Sequence, residues 1–279
     1  VRAPIRAVKR RNGRGAKGAQ EGGCVTTRQD EDQPQALPER AERDGDTRAR
    51  WAWVERSVWT DRMLHALETG MQGRKWYCLV DKVYKPANLA AAWAKVRANR
   101  GAAGVDRQTV ASFDRTVEEN LAKLHEELRA GRYRPSAVRR VRIPKPGRPG
   151  EFRPLGIPTV RDRIVQAALR NVLEPIFEAG FAEHSYGFRP RRSTKDALRA
   201  VRKHLDAGFT HVVDADLKGY FDTIDHDVLL ARLREKVTDG RVLDLVTGFL
   251  KAGVMEELEV RKPETGTPQG GVISPLLAN

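Results

Sequence analysis

Five aspartates lie close together in the segment VVDADLKGYFDTIDHDVLL, residues 212–230: Asp214, Asp216, Asp222, Asp225 and Asp227. The apolar residues in FTHVVDADL predict a short strand over residues 209–217, and side-chain alternation would place Asp214 and Asp216 on one face of it. Carboxylates at a strand end stay ionised and are hard oxygen ligands suited to Mg²⁺. Because paired Mg²⁺ ions catalyse phosphoryl transfer, this segment is a candidate metal site.

A second interpretation of the same segment needs no metal. Asp222 and Asp225 precede turn or helix starts, where aspartate side chains commonly accept backbone N–H groups. The other three acids would then lie at the surface. The spacing of the aspartates does not decide between these two interpretations.

The whole chain is strongly basic, which indicates its class of partner. It has 51 Lys and Arg residues against 37 Asp and Glu residues, a net charge of +14 over 279 residues. Such an excess predicts a polyanionic partner, either a nucleic acid or an anionic membrane surface. No apolar run reaches the roughly 18–20 residues of a membrane span, and no apolar core follows the basic N-terminus as in a signal peptide.

Cysteine and histidine usage points to a reducing compartment without a zinc site. Cys24 and Cys78 are far apart and have neither zinc-ligand spacing nor the pattern of a disulfide framework. The six histidines show no ligand spacing with cysteine or with one another. We therefore expect a soluble cytosolic protein without a membrane partner.

The first half of the sequence divides into a polar extension and a helical region. Residues 1–50 are rich in Gly, Arg, Pro and charge, which predicts disorder and nonspecific contact with RNA. Residues 51–137 contain three stretches with apolar residues at helical spacing. These stretches predict helices over 51–70, 87–106 (ending in a Gly-rich turn) and 113–133.

Residues 138–208 begin with a different pattern. Val138–Ile143 alternates basic and β-branched residues, KPGRPGE follows, and FRPLGI resumes the pattern, which predicts a β-hairpin with a basic tip. A long helix should begin at Thr159 as N-cap and end or kink at Pro175. The segment STKDALRAVRKHL predicts the next helix.

Residues 209–279 combine the acidic segment with further helices. Helices are predicted for DHDVLLARLREKV, with Asp225 as N-cap, and for RVLDLVTGFLKAG. The segment VMEELEV predicts one strand, and the sequence closes with GTPQGGVISPLLAN.

Five motifs together give the sequence a recognisable pattern. They are NRGAAGVD, RIPKPGRPGEFRPLGIPT, HSYGFRPRRSTKDAL, DADLKGYFDTIDH and GTPQGGVISPLLAN, in that order. Taken together from Trp51 onward, they resemble the reverse transcriptase region of the proteins encoded by group II introns, the reverse transcriptase–maturase family. The resemblance implies an α+β fold: the fingers and incomplete palm of a right-hand polymerase, behind a disordered basic N-terminal extension. Residues 51–137 and 138–208 would then form the fingers, and residues 209–279 part of the palm.

The resemblance also assigns roles in catalysis and nucleotide binding. Asp216 matches the first catalytic aspartate, which binds both Mg²⁺ ions, and the carbonyl of Leu217 would help to hold one of them. Phe221 matches the bulky residue that rejects a ribose 2′-hydroxyl. Arg153 matches the arginine that binds the triphosphate of the incoming deoxynucleotide, and Lys145 in the hairpin tip would be a second phosphate contact.

The remaining assignments concern the nucleotide sugar and the nucleic acids. Gln269 matches the glutamine beside the sugar, and Gly270 lets the backbone approach the substrate. The SYGFRPRRS segment matches a region near template and primer, where Arg189, Arg191 and Arg192 would contact phosphates while Tyr186 and Phe188 pack in the core. The implied partners are intron RNA, an RNA template with a DNA primer, and deoxynucleoside triphosphates, in a bacterial cytoplasm.

The sequence departs from the family pattern in one respect. The family's palm continues into a Tyr-x-Asp-Asp hairpin that completes the metal site, and these 279 residues contain no such motif. The expectation is that this chain alone is not a competent polymerase. It would be a truncated or interrupted copy, or one half of a split protein that works with a C-terminal fragment in trans, or it would associate with a second copy. Two alternatives remain open: a non-catalytic RNA-binding protein, and a reverse transcriptase of another bacterial lineage.

Overall fold

The computed structural model describes residues 49–69, 75–257, 259–261 and 263–279. The predicted disorder of residues 1–50 therefore falls almost wholly outside the described residues. None of the helices within the described ranges is long and apolar enough to cross a membrane.

The region after Trp51 forms a shorter helix than the sequence predicts. Helix α1 spans only Asp61–Thr69, and residues 51–60 form turns instead of the predicted continuous helix. Within these turns Trp51, Val58 and Trp59 are all buried. The backbone carbonyl of Thr60 then accepts the first helical bond, from Leu64 N at 3.0 Å.

Five helices build most of the core, and the last of them is long and central. They are α2 (Val80–Tyr84), α3 (Pro86–Ala98), α4 (Val110–Asp114), α5 (Val117–Arg129) and α6 (Val160–Glu178). The predicted core residues of α6 are all buried: Ile164, Val165, Ala168, Leu169, Val172 and Leu173. Because α3 packs along α6, residues before and after the β-hairpin share one hydrophobic core.

Helix α6 begins as predicted but does not end at its proline. Thr159 Oγ1 accepts a hydrogen bond from Asp162 N at 3.1 Å, which confirms the N-cap. The helix continues through Pro175 to Glu178. Proline deprives the carbonyl four residues earlier of its helical partner, and that carbonyl, on Asn171, instead accepts the indole N–H of Trp59 at 3.0 Å.

The predicted β-hairpin is part of a four-stranded sheet. Strands β1 (Val138–Pro144) and β2 (Phe152–Ile157) pair antiparallel, with Ile143 opposite Arg153. Strand β3 (Val254–Glu256) lies parallel to β1, and β4 (Glu259–Arg261) lies antiparallel to β3, which gives the order β2-β1-β3-β4. The single strand predicted for VMEELEV is wrong, because the chain reverses after Glu256, where Glu257 has a left-handed φ of 52°.

The second half of the chain adds the remaining helices. They are α7 (Thr194–Asp206), α8 (Tyr220–Thr223), α9 (His226–Arg234), α10 (Gly240–Lys251) and α11 (Ser274–Ala278). Asp225 Oδ1 accepts from the backbone N–H groups of Asp227 and Val228 at 2.8 and 2.9 Å, so its predicted role as N-cap of α9 is confirmed.

The strand predicted over residues 209–217 does not form. These residues have no regular secondary structure, and Val212 and Val213 are 78% and 93% exposed. A strand is stabilised by backbone hydrogen bonds to a neighbouring strand, and the described residues pair none with this segment. Strand propensity alone was therefore not sufficient to predict a strand here.

Candidate functional site

One open cavity brings together five of the residues that the sequence assigns to chemistry. Its volume is about 490 Å³. The lining residues are Arg153, Ala215, Asp216, Leu217, Gly219, Tyr220, Phe221 and Gln269. Three stretches that are far apart in sequence, on strand β2, around helix α8 and before helix α11, therefore meet at one place.

A chain of polar side chains crosses this cavity. Arg153 Nε lies 3.5 Å from Gln269 Oε1, and Gln269 Nε2 donates to Asp222 Oδ2 at 3.3 Å. Asp222 thus orients the carboxamide of Gln269 so that its oxygen faces the arginine. Sequence reasoning assigned Asp222 to ordering its own turn and missed this contact, because the two residues are 47 positions apart.

Backbone hydrogen bonds fix the segment that carries Gln269. Thr267 N donates to Phe221 O at 2.7 Å, and Gly156 N donates to Gln269 O at 2.6 Å. Gly270 has a φ of 107°, and a Cβ there would lie 2.5 Å from Gly156 O. Only glycine fits this conformation and spacing, so Gly270 permits a close approach between the loop and strand β2. The approach of this backbone to a substrate stays a prediction.

Asp216 is the one acidic residue among the described residues lining the cavity. It is exposed, as is Asp214, which does not line the cavity. Since residues 209–217 form no strand, the expected common face for these two carboxylates is not present. Within the described ranges, no group of three or more His, Cys, Asp or Glu residues could hold a metal ion. Asp216 with the Leu217 carbonyl therefore fits part of a metal site and not a complete one.

The aromatic pair borders the same cavity. The ring of Phe221 is half-buried and lies edge-on to Tyr220, with centroids 6.0 Å apart. The Tyr220 hydroxyl donates to Ala278 O at 2.9 Å, which connects the start of α8 to the end of α11. The position of Phe221 at the cavity wall is compatible with contact to a bound ligand as well as with packing.

Lys145 is not brought to the cavity. Its ammonium group donates to Glu151 Oε2 at 2.8 Å, across the tip of the β1–β2 hairpin. This hydrogen bond is the main reason why the pKa of Glu151 lies below its ordinary value. The predicted phosphate contact by Lys145 therefore has no support from its position in this structure.

Arg189 needs a correction, because its side chain is not available to a nucleic acid. The residue is 7% exposed, and its guanidinium pairs with Glu178 at 2.8 Å. It also donates to Ser185 O at 3.0 Å. A buried, paired arginine orders the surrounding loop, so the predicted contact between Arg189 and RNA phosphate is wrong for this structure.

The other residues of the SYGFRPRRS segment differ in exposure. Arg191 is exposed and donates to Ala49 O at 2.8 Å, and Arg192 lies over the Tyr186 ring, 5.5 Å from its centroid. Both retain surface positions from which a phosphate could be contacted. Phe188 is 71% exposed, so the expectation that it packs in the core is wrong, whereas Tyr186 is half-buried.

Comparison with known proteins identifies the class to which this site belongs. Residues 143–279 match the family described as reverse transcriptase (RNA-dependent DNA polymerase). The matched range includes the cavity residues on all three stretches. Residues 143–279 belong to the reverse transcriptase family, and the α+β fold class of fingers with part of a palm is confirmed.

Curated relatives narrow the assignment within that class. The chain is 42% identical to Protein YkfC of Escherichia coli (strain K12) over 207 residues, 72% of this chain and 54% of that protein. It is 40% identical to the group II intron-encoded protein LtrA of Lactococcus lactis subsp. cremoris over 197 residues, 70% of this chain and 32% of that protein. The chain is therefore related to group II intron-encoded proteins, and its matches span between one third and about half of these relatives.

A solved structure gives a weaker match. The partial Cas6-RT-Cas1--Cas2 complex aligns with a TM-score of 0.49 and 24% sequence identity, covering 72% of this chain and 33% of that chain.

Proposed function

We propose that this chain forms the nucleotide-binding part of an RNA-directed DNA polymerase encoded by a group II intron, which also binds the intron RNA and assists its splicing. One observation carries the proposal: Arg153, Asp216, Phe221 and Gln269 line the same cavity. A cation, a carboxylate, a ring and a carboxamide in one open site match the parts of a deoxynucleoside triphosphate and its metal.

Each cavity residue has a proposed part in binding the nucleotide. The planar guanidinium of Arg153 suits two phosphate oxygens at once. Gln269, oriented by Asp222, would lie beside the sugar. The ring of Phe221 would occupy the space that a ribose 2′-hydroxyl needs, and so select deoxynucleotides.

The metal part of the proposal is limited to what the donor set allows. The family generally uses divalent metal ions. We propose Mg²⁺ as the ion, because the carboxylate of Asp216 and the carbonyl of Leu217 are hard oxygen donors. When bound, the ion would stabilise negative charge on phosphate oxygens. Two donors do not complete an octahedral site.

The proposed reaction is the transfer of a nucleotidyl group. The 3′-hydroxyl oxygen of a primer forms a bond to the α-phosphorus of the deoxynucleotide, the bond from that phosphorus to the bridging oxygen breaks, and pyrophosphate leaves. In this scheme Arg153 binds the departing phosphates and Gln269 and Phe221 hold the sugar. Because the 279 residues contain no Tyr-x-Asp-Asp motif, nucleotide binding is a more direct test than turnover.

The test is nucleotide binding by the complete 279-residue chain, measured by isothermal titration with dATP and ATP in Mg²⁺. We expect dATP to bind more tightly than ATP. Arg153→Ala should weaken dATP binding at least about tenfold, since hydrogen bonds to charged groups contribute about 1.5–3 kcal/mol. Phe221→Ala should reduce the difference between the affinities for dATP and ATP.

The matched control is Arg199→Ala, which removes an exposed arginine on α7 outside the cavity. It should leave dATP binding unchanged. Equal dATP affinities for the unsubstituted chain and Arg153→Ala would contradict the proposal.

A second candidate function is RNA binding without catalysis. It is favoured by the surface positions of Arg191 and Arg192 together with the net charge of +14. Such binding should fall steeply with salt, because cationic side chains displace counterions from the phosphates. Salt-sensitive binding of structured RNA by a chain that does not bind dATP would favour this candidate over the polymerase.

A further inference from the structure

The buried glutamine Gln166 in α6 connects the core to the cavity loop. It is 4% exposed, between the apolar residues Val165 and Ala167, which are also buried. Its side-chain Oε1 accepts hydrogen bonds from Val272 N at 2.7 Å and Ile273 N at 3.5 Å. One side-chain oxygen thus serves two consecutive backbone N–H groups more than 100 positions away in sequence.

These N–H groups lie just before α11, since Ile273 is its N-cap residue and Val272 precedes it. The N-cap residue, Ile273, has no side chain that can accept a hydrogen bond. Gln166 therefore supplies from α6 the acceptor for the two backbone N–H groups that lead into α11. The start of α11 is fixed to the central helix and not only to its own loop.

The segment fixed in this way is the cavity loop, residues 266–273, which carries Gln269. Ser274 Oγ lies 3.0 Å from Pro268 O and 2.8 Å from Thr267 Oγ1, so the loop folds back onto the start of α11. A Cβ at Gly271 would lie 2.5 Å from Ser274 Oγ and 3.4 Å from Gln166 Oε1. The loop is packed closely against the Gln166 carboxamide, and a shift there would move Gln269.

We propose that Gln166 is a positioning residue for the deoxynucleotide subsite, acting through the cavity loop on Gln269. This inference rests on the proposed function for the identity of the ligand, and on the hydrogen bonds alone for the fixation of the loop. Without the carboxamide oxygen, two N–H groups in a largely dry environment lack their acceptor, and the loop no longer has a single position that satisfies them.

The experiment compares Gln166→Met, which keeps the length but removes the acceptor, with Gln166→Glu, which keeps an acceptor oxygen. Hydrogen exchange measures how fast the backbone N–H groups of Val272 and Ile273 exchange with solvent. Isothermal titration measures the affinity for dATP in Mg²⁺. Both measurements use the complete chain. We expect Gln166→Met to speed exchange and to weaken dATP binding, each by about tenfold. Gln166→Glu should retain slow exchange and stay within about threefold of the unsubstituted affinity.

A matched control separates positioning from general destabilisation. Val172→Ala removes buried apolar atoms from the same helix at a residue that does not line the cavity. It should lower the thermal stability of the chain without changing dATP affinity. If Val172→Ala weakens dATP binding as much as Gln166→Met, the effect is general and the positioning role fails.

The two readouts distinguish failure of this inference from failure of the proposed function. Unchanged exchange at Val272 and Ile273 in Gln166→Met overturns the loop fixation, whether or not dATP binds. Faster exchange with full dATP affinity also overturns the positioning role. If the unsubstituted chain binds no dATP, the proposed function fails, and the nucleotide part of this inference fails with it.

Discussion

At the scale of single residues, Tyr133 and Asp162 form a hydrogen-bonded pair that places a carboxylate in the core. The Tyr133 hydroxyl donates to Asp162 Oδ1 at 2.5 Å, and Ser136 N donates to Oδ2 at 3.1 Å. Burial raises the pKa of Asp162, and the Tyr133 hydrogen bond opposes that rise. Burial, followed by the charge of Asp162, holds the pKa of the Tyr133 hydroxyl well above its usual value.

These directions predict a pH dependence of stability. The pKa of Asp162 in the folded state exceeds its unfolded value, which is near 3.9. Between these two pKa values the folded state therefore binds more protons than the unfolded state. Its contribution to stability is therefore present at low pH and is lost as pH rises through the folded pKa. Tyr133→Phe removes a hydrogen bond that lowers this pKa, so the decline should extend to higher pH.

The measurement is urea unfolding of the chain and of Tyr133→Phe from about pH 4, near the unfolded pKa, to about pH 8. At neutral pH the substitution should destabilise by about 1–3 kcal/mol, since one carboxylate oxygen loses its partner. Tyr77→Phe, at a residue that is 63% exposed, is the control. A constant difference between Tyr133→Phe and the unsubstituted chain at every pH would count against this account.

At the scale of secondary-structure elements, Asp239 connects two helices. Its Oδ2 accepts from Leu79 N and Val80 N at 2.6 and 2.9 Å, at the start of α2. Its Oδ1 accepts from Arg241 N and Val242 N at 3.1 and 3.2 Å, at the start of α10. One carboxylate thus caps helices from the first and the last third of the chain.

Loss of this double cap should lower the free energy of unfolding more than loss of a cap that serves one helix. Asp239→Ala should destabilise by about 2–4 kcal/mol, because four backbone N–H groups lose their acceptor. The comparison is Asp225→Ala, which removes the single, exposed cap of α9 and should destabilise by about 1 kcal/mol. Urea unfolding at neutral pH measures both, and equal effects of the two substitutions would show that the second helix gains nothing from Asp239.

At the scale of the whole molecule, one surface of the described chain is unusually apolar. Helix α7 buries none of its residues, and Leu198, Val201 and Leu205 on one face of it are 64%, 54% and 50% exposed. Phe209 and the unpaired residues that follow extend this exposed apolar surface. Large apolar patches on soluble proteins usually bind another surface.

We therefore expect the isolated chain to self-associate as its concentration rises. Replacing Leu198, Val201 and Leu205 together by Gln should shift it toward monomer without altering its net charge. Val228→Gln, at an exposed apolar residue of α9, should leave the self-association unchanged. Sedimentation velocity over a range of concentrations tests this, and an unsubstituted chain that stays monomeric throughout would refute it.

The sequence predicted the elements whose determinants are local. The alternation in Val138–Ile143 and the Gly and Pro residues after it specify the β1–β2 hairpin, and the caps Thr159 and Asp225 lie at the helix starts they predict. It failed where the outcome depends on distant partners. Residues 51–60 form turns in which Trp59 packs against remote parts of the chain. Residues 209–217 pair with no strand in the part of the chain that the structure describes.

The same division holds for the candidate site. By itself the sequence determined which residue types the site contains, because the motifs around Arg153, Asp216 and Gln269 are contiguous and recognisable. Only the tertiary structure decided that these residues share a cavity, that Asp222 and Gln166 orient and support the loop of Gln269, and that Arg189 is buried against Glu178. The physical reason is that contacts between residues far apart in the chain depend on how helices and strands pack, which local spacing does not encode.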